Sequence, residues 1–188
     1  MTAAEKTITV TGRGNIHIEP DVTRIDLKIC CVFDTYDVAY HMAEENLNDL
    51  AEIMTANNLD TKLPKTISFD ISKKTRSKYD KYHNYEGEEF IGYQLEQEIR
   101  INIGMDNKLL TGIVRSIGKK MTHVEINIGY TVKDPRPFQL KMLERAVKDA
   151  TEKARIMAQA AGCVLGPVKT IDYSENEIHI YSQARSMD

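Results

Sequence analysis

The chain has 188 residues, 41% of them hydrophobic and 28% charged, with a formal net charge of −3 and a pI near 6.0. A chain of this size buries roughly 70% of its unfolded surface, so a core forms without disulfides or metals. The composition excludes collagen-like, mucin-like and disordered classes, and the charge argues against a general polyanion binder.

The segment Thr7-Ile8-Thr9-Val10-Thr11 alternates polar and apolar residues and predicts a half-buried strand. Gly12-Arg13-Gly14 interrupts it and predicts a bulge or turn. A phosphate-loop reading fails, because the third glycine of a dinucleotide fingerprint is absent and Asn15-Ile16-His17-Ile18 continues as strand-like sequence. After the turn Glu19-Pro20-Asp21, residues 22–33 predict a long strand. Ile25, Leu27, Ile29, Cys31 and Phe33 fall on one face; Arg24, Asp26 and Lys28 fall on the other.

Asp34 is the expected N-cap of a helix running from Thr35 to about Asn57, with Asp37 favourable to its dipole. Ala39, Ala43, Leu47, Leu50 and Met54 form its predicted apolar stripe. Asn57-Asn58 suits the helix end, where a left-handed residue is tolerated. Ile67, Phe69 and Ile71 then predict a third strand.

Residues 73–87 are polar and tyrosine-rich, the least core-like stretch of the chain. Between 73 and 85 lie five Lys or Arg residues and one Asp, interleaved with tyrosines. Such a pattern can hold single-stranded nucleic acid, cations for phosphates and rings for bases. The candidate residues are Lys73, Lys74, Arg76, Lys78, Tyr79, Lys81, Tyr82 and Tyr85. Glu86, Glu88 and Glu89 follow at once and cancel most of the charge. The other readings are a projecting hairpin arm used in self-assembly and a solvated loop.

Residues 90–103 give the cleanest strand, with Tyr93, Leu95, Ile99, Ile101 and Ile103 on one face and Gln97 the one polar residue there. Asp106 caps a predicted helix that buries Leu109, Leu110, Ile113, Val114 and Ile117 and ends at Gly118. Val124, Ile126, Ile128, Tyr130 and Val132 alternate as another strand. Asp134-Pro135 opens the longest predicted helix, which stops at Gly162. Leu143, Val147, Ala150, Ala154, Met157 and Ala161 form its stripe, widened by Ala146 and Ala158. So many alanines allow a partner to approach its axis closely. Val168, Ile171 and Tyr173 predict a strand, Ser174 to Glu177 a hairpin connection, and Ile178 and Ile180 a return strand.

The predicted order is β-β-α-β-β-α-β-α-β-β. Strands with one polar face predict an α+β fold with mixed or mostly antiparallel sheets and helices packed on one face. A single domain over 1–188 is expected, with loose sub-modules at about 1–104 and 105–188.

Three cysteines, Cys30, Cys31 and Cys163, fit a reducing compartment better than a disulfide framework. Adjacent strand residues point apart, so Cys30 and Cys31 do not readily bond to each other. Slow thiol labelling is expected of Cys31 and Cys163. The five histidines, His17, His41, His83, His123 and His179, show no metal-ligand spacing. No nucleophile elbow or catalytic trio stands out. The sequence therefore predicts no enzymatic activity, no cofactor and no metal site. No apolar run is long enough for a membrane span, and no signal peptide is apparent, so a cytoplasmic location is expected, or a periplasmic one if a leader was trimmed.

Two stretches carry a family resemblance. The first is Ile8-Thr9-Val10-Thr11-Gly12-Arg13-Gly14, followed by Glu19-Pro20-Asp21 and the long strand. The second is Ala146-Val147-Lys148-Asp149-Ala150-Thr151-Glu152-Lys153-Ala154, running through Ala158, Ala161 and Gly162 into Leu165-Gly166-Pro167-Val168. The chain resembles the SIMPL-domain family, which includes bacterial periplasmic immunogenic proteins and YggE-like stress proteins. The resemblance implies an α+β fold of two interleaved sub-modules, homo-oligomers that are ring- or channel-like in some members, and a loose link to stress. It implies no established enzymatic activity and no agreed ligand. A homo-oligomer without catalytic function is the leading expectation, with nucleic-acid binding by the 73–85 segment as the alternative.

Overall fold

A computed structural model describes residues 7–173. Its elements are β1 (Val22–Phe33), α1 (Tyr36–Ala56), β2 (Lys65–Tyr79), β3 (Tyr85–Gly104), α2 (Asn107–Lys120), β4 (Val124–Thr131) and α3 (Arg136–Ala160). The chain forms two compact units, residues 20–131 and residues 1–19 with 132–188; residue 104, at the end of β3, lies inside the first.

The unit of residues 20–131 is a four-stranded antiparallel sheet, order β2-β3-β1-β4, with β2 and β4 at its edges. The fold class is α+β, as the strand patterns predict. Register follows the hydrophobic alternation: Ile25 pairs with Ile101 and Ile128, and Leu27 with Ile99 and Ile126. Ile25, Leu27, Ile29, Leu95, Ile99 and Ile101 are at most 2% exposed and pack with Leu50, Ile53 and Met54 of α1 and Ile113 and Ile117 of α2. Each such side chain contributes about 1.5–3 kcal/mol by leaving water.

Two expectations for α1 shift by one residue. The N-cap is Thr35, whose hydroxyl accepts from the Val38 N–H, rather than Asp34. The buried stripe runs through Ala39, Ala43, Asn46, Leu50, Ile53 and Met54, and Leu47 is left 41% exposed. Asn46 takes the inward position because its amide finds a partner: it donates to Gln97 Oε1 at 3.2 Å, and Gln97 Nε2 donates to the Ala43 carbonyl at 3.4 Å. A buried polar group is tolerated only when paired in this way. At the C-terminal end, Asn58 takes a left-handed φ of 56°. Asp106 caps α2 through the Lys108 and Leu109 amides, as predicted, and the helix runs past Gly118 to Lys120.

In the other unit, residues 7–19 join no sheet. The predicted first strand and the turn at Gly12-Arg13-Gly14 are replaced by a segment lying along α3. A β-carbon on Gly12 would overlap the Ala146 carbonyl, and one on Gly14 the Met142 carbonyl. The two glycines, two residues apart, let the main chain touch the helix backbone. Polar side chains of α3 then hold that main chain: Asp149 accepts from the Arg13 N–H at 2.7 Å, Arg145 donates to the Asn15 carbonyl at 2.6 Å, and Lys153 donates to the Thr11 carbonyl at 3.3 Å. Lys153 and the Arg13 amide hold the Asp149 carboxyl below the usual Asp range.

The α3 stripe differs from expectation for the same reason. Ala154 and Ala158 are buried, with Met142, Ala146 and Ala150 half-buried beside them, because the glycines seek the smallest side chains. Val147, Met157 and Ala161 are exposed. Pro135, not Asp134, is the N-cap, and the Asp134 carboxylate accepts from the Arg136 N–H. Gly162 ends the helix with φ 67°, and the Cys163 N–H returns to the Ala158 carbonyl. The strand predicted at 168–173 belongs to no sheet; the hairpin at 174–177 and the strand at 178–180 lie outside the described residues.

Candidate functional site

The predicted polar segment is a hairpin arm rather than a loop. β2 continues to Tyr79 and β3 begins at Tyr85, so the strands extend well past the predicted ends at 71 and 90. β1 stops opposite Tyr93, where it pairs with Phe33. Beyond that point β2 and β3 pair only with each other, from Lys74 opposite Gly92 to Tyr79 opposite Tyr85. Gly92 marks the departure: its φ is 143°, and a β-carbon there would overlap the Phe33 carbonyl.

Asp80 closes the tip. Its carboxylate accepts from the Tyr82 N–H at 2.7 Å, the Asn84 N–H at 2.8 Å and the Asn84 side-chain amide at 3.0 Å. These bonds, those from Asn84 foremost, hold its carboxyl below the usual range. His83 supplies the left-handed residue of the turn, with φ 65°.

The eight candidate residues therefore share one element, but their cations are unequally available. Arg76 pairs with Glu89 at 2.7 Å and Lys78 with Glu86 at 3.0 Å. Thr75 donates to Glu88 at 3.0 Å. The three glutamates that cancel charge along the sequence are thus cross-strand partners. Lys81 lies 5.0 Å from the centre of the Tyr82 ring. Lys73 and Lys74 take part in no ion pair among the described residues, and as strand neighbours they point to opposite faces. Tyr79 and Tyr85 meet edge to face, with centroids 5.9 Å apart.

An aromatic ladder leads into the arm: Tyr36 meets Tyr93 at 5.9 Å, and Tyr93 meets Phe90 at 5.4 Å. Ile67 and Phe90 are 50% exposed, Phe69 45% and Ile91 39%. β2 has paired its inner edge with β3 and keeps its outer edge open among the described residues.

The cysteines are free, and the alternation places them as predicted: Cys31 packs against the core and Cys30 is exposed on the other face. Burial, then the neighbouring Cys30, pushes the Cys31 thiol up. Cys163, expected to label slowly, is exposed past the end of α3. His41 sits 3.3 Å from Glu44 on the surface of α1; His179 lies outside the described residues. No three His, Cys, Asp or Glu side chains converge for a metal among the described residues. No helix among them is long and apolar enough to cross a membrane.

Sheet, helices and arm define an α+β protein with an open-edged antiparallel sheet. The chain belongs to the SIMPL family: the family described as "Protein of unknown function (DUF541)" matches residues 8–188. Among solved structures, the divalent ion tolerance protein CutA1 from Ehrlichia chaffeensis is similar at 12% identity and a TM-score of 0.30, over 68% of this chain and 96% of that one. The de novo designed protein Foldit4 is similar at 15% identity and a TM-score of 0.26, over 61% of this chain and 100% of that one. No curated protein matches the chain.

Proposed function

We propose that this SIMPL protein works by self-association rather than by chemistry, as a homo-oligomeric, non-enzymatic structural module. One observation carries the reading: β2 has an open edge among the described residues and carries Ile67 and Phe69, left 50% and 45% exposed. An unpaired strand edge offers backbone donors and acceptors to another chain, and adjoining apolar side chains supply the area that holds it. The tyrosines of the arm add area at low entropic cost. A stress-related setting, implied by the family resemblance, is compatible with an assembly of this kind.

Nucleic-acid binding by the same arm has thinner support. It needs free cations and flat ring faces, whereas Arg76 and Lys78 are engaged by Glu89 and Glu86 and the Tyr79 and Tyr85 rings engage each other. Light scattering of the intact chain at tens of micromolar separates the two. A mass that is a multiple of 21.4 kDa supports self-association. A 21.4 kDa species with a salt-dependent gel shift on single-stranded RNA supports the alternative.

A further inference from the structure

We infer that the groove between Thr9 and the last turns of α3 takes the carboxyl end of an extended peptide whose final residue is apolar. The site uses no residue of β2 and is independent of self-association.

Residues 9–18 alternate strictly: 10, 12, 14, 16 and 18 are half-buried, and 9, 11, 13, 15 and 17 are exposed. A period of two marks an extended backbone, in which the main-chain groups of the odd-numbered residues all point to one edge. The three bonds from α3 lie on that edge. Arg145 donates to the Asn15 carbonyl, Asp149 accepts from the Arg13 N–H, and Lys153 donates to the Thr11 carbonyl. The helix residues are four apart and the segment residues two apart. Four helical residues rise about 6.0 Å and two extended residues about 6.6–6.8 Å, so the two rows stay in step. A row of α3 side chains thus stands where a neighbouring strand would be.

The row breaks one step later. Its next position is Met157, whose thioether brings no N–H or O–H donor, and no hydrogen bond reaches the Thr9 main chain among the described residues. A groove of about 300 Å³ opens there, lined by Thr9, Val10, Thr11, Lys153, Ile156 and Met157. Ile156 is 58% exposed and Met157 51%. Lys153 closes one end. Its ammonium donates to the Thr11 carbonyl and to Asp149, which leaves the third N–H for a ligand.

Each feature selects part of the occupant. The unpaired main chain of Thr9 matches a second extended backbone, as in strand addition. Ile156 and Met157 match an apolar side chain. Lys153 and Asp149 already occupy the edge beyond Thr9, so an incoming strand must end at Lys153. An ammonium repels an amino terminus and attracts a carboxylate, so the carboxyl end is the one that arrives. The peptide therefore runs parallel to residues 7–11.

The test titrates the intact chain with acetyl-Thr-Ile-Thr-Val and follows the Thr9 amide by NMR. The free acid is expected to bind with a Kd of about 0.1–1 mM, in keeping with a groove at the small end of ligand sites. Its C-terminal amide is expected to bind about tenfold more weakly. Met157→Lys continues the polar row to Thr9 and fills the groove; it is expected to abolish binding without lowering the melting temperature. Lys153→Met is expected to remove the difference between acid and amide. Should that variant release the segment from α3, Ile156→Glu, at an exposed position outside the row, is expected to weaken the free acid by about tenfold or more. Equal binding of acid and amide, octanoate binding as tightly as the peptide, or unchanged binding by Met157→Lys overturns the inference. So does an unmoved Thr9 signal at ~5 mM peptide.

Discussion

Gly12 stands against the carbonyl of Ala146, close enough that a β-carbon would occupy the space of the oxygen. The relationship explains why a segment with strand-like sequence joins no sheet: its polar backbone is satisfied by α3 side chains instead. Gly12→Ala and Gly14→Ala are each expected to destabilise the protein by about 1–3 kcal/mol in denaturant titrations, as overpacking does. Gly118→Ala is the control. Nothing lies within 4 Å of its β-carbon position, and as a helix-interior site it is expected to gain about 0.5–1 kcal/mol.

Asp149 makes that docking sensitive to acid. Its carboxyl sits below the usual Asp value in the folded state, through Lys153 and the Arg13 amide. The contribution is therefore fully present above the unfolded value, about 3.9, and is lost as pH falls through the lowered native value. The Arg13 amide, which donates to Asp149, is expected to exchange faster with solvent below about pH 4 than exchange chemistry alone dictates. In Asp149→Asn that extra acid step is expected to vanish. An identical step in the variant would assign it to other carboxylates.

The buried Asn46–Gln97 pair is expected to behave as a unit. Asn46→Leu or Gln97→Leu leaves one amide unsatisfied in the core and is expected to cost about 1–3 kcal/mol. The double variant is expected to cost less than the sum, with a coupling of about 1 kcal/mol or more in a double-mutant cycle. Strict additivity would mean that the two amides do not depend on each other.

Thiol labelling of the native protein tests the strand register directly. Cys30 and Cys163 are expected to react promptly, and Cys31 slowly, since it packs against the core and its thiol is held up by burial. Equal rates for Cys30 and Cys31 would mean that β1 does not present alternate faces as described.

Much of the sheet is legible in the residues. Period-two alternation from Ile25 to Phe33 and from Tyr93 to Ile103 fixes which faces meet, and Gln97 stands out as polar on an apolar face. Its partner Asn46 is not legible, because at the rim of a helical stripe a leucine and an asparagine compete and only the facing strand decides. The arm is read only in part. A hairpin is one of three readings of 73–87, since a strand solvated on both faces loses its alternation. The pairing of Arg76 with Glu89 and Lys78 with Glu86 needs the cross-strand register. The close approach of Gly12 and Gly14 to α3 is written in two glycines two apart and alanines four apart, but only when the segments are placed together.

Hydrogen exchange of the β2 backbone across a dilution series tests the self-association account most directly. Amides of Lys65–Tyr79 that face away from β3 are expected to be protected at high concentration and to exchange rapidly once the chain is diluted below its association threshold. Rapid exchange of those amides at every concentration would contradict the account.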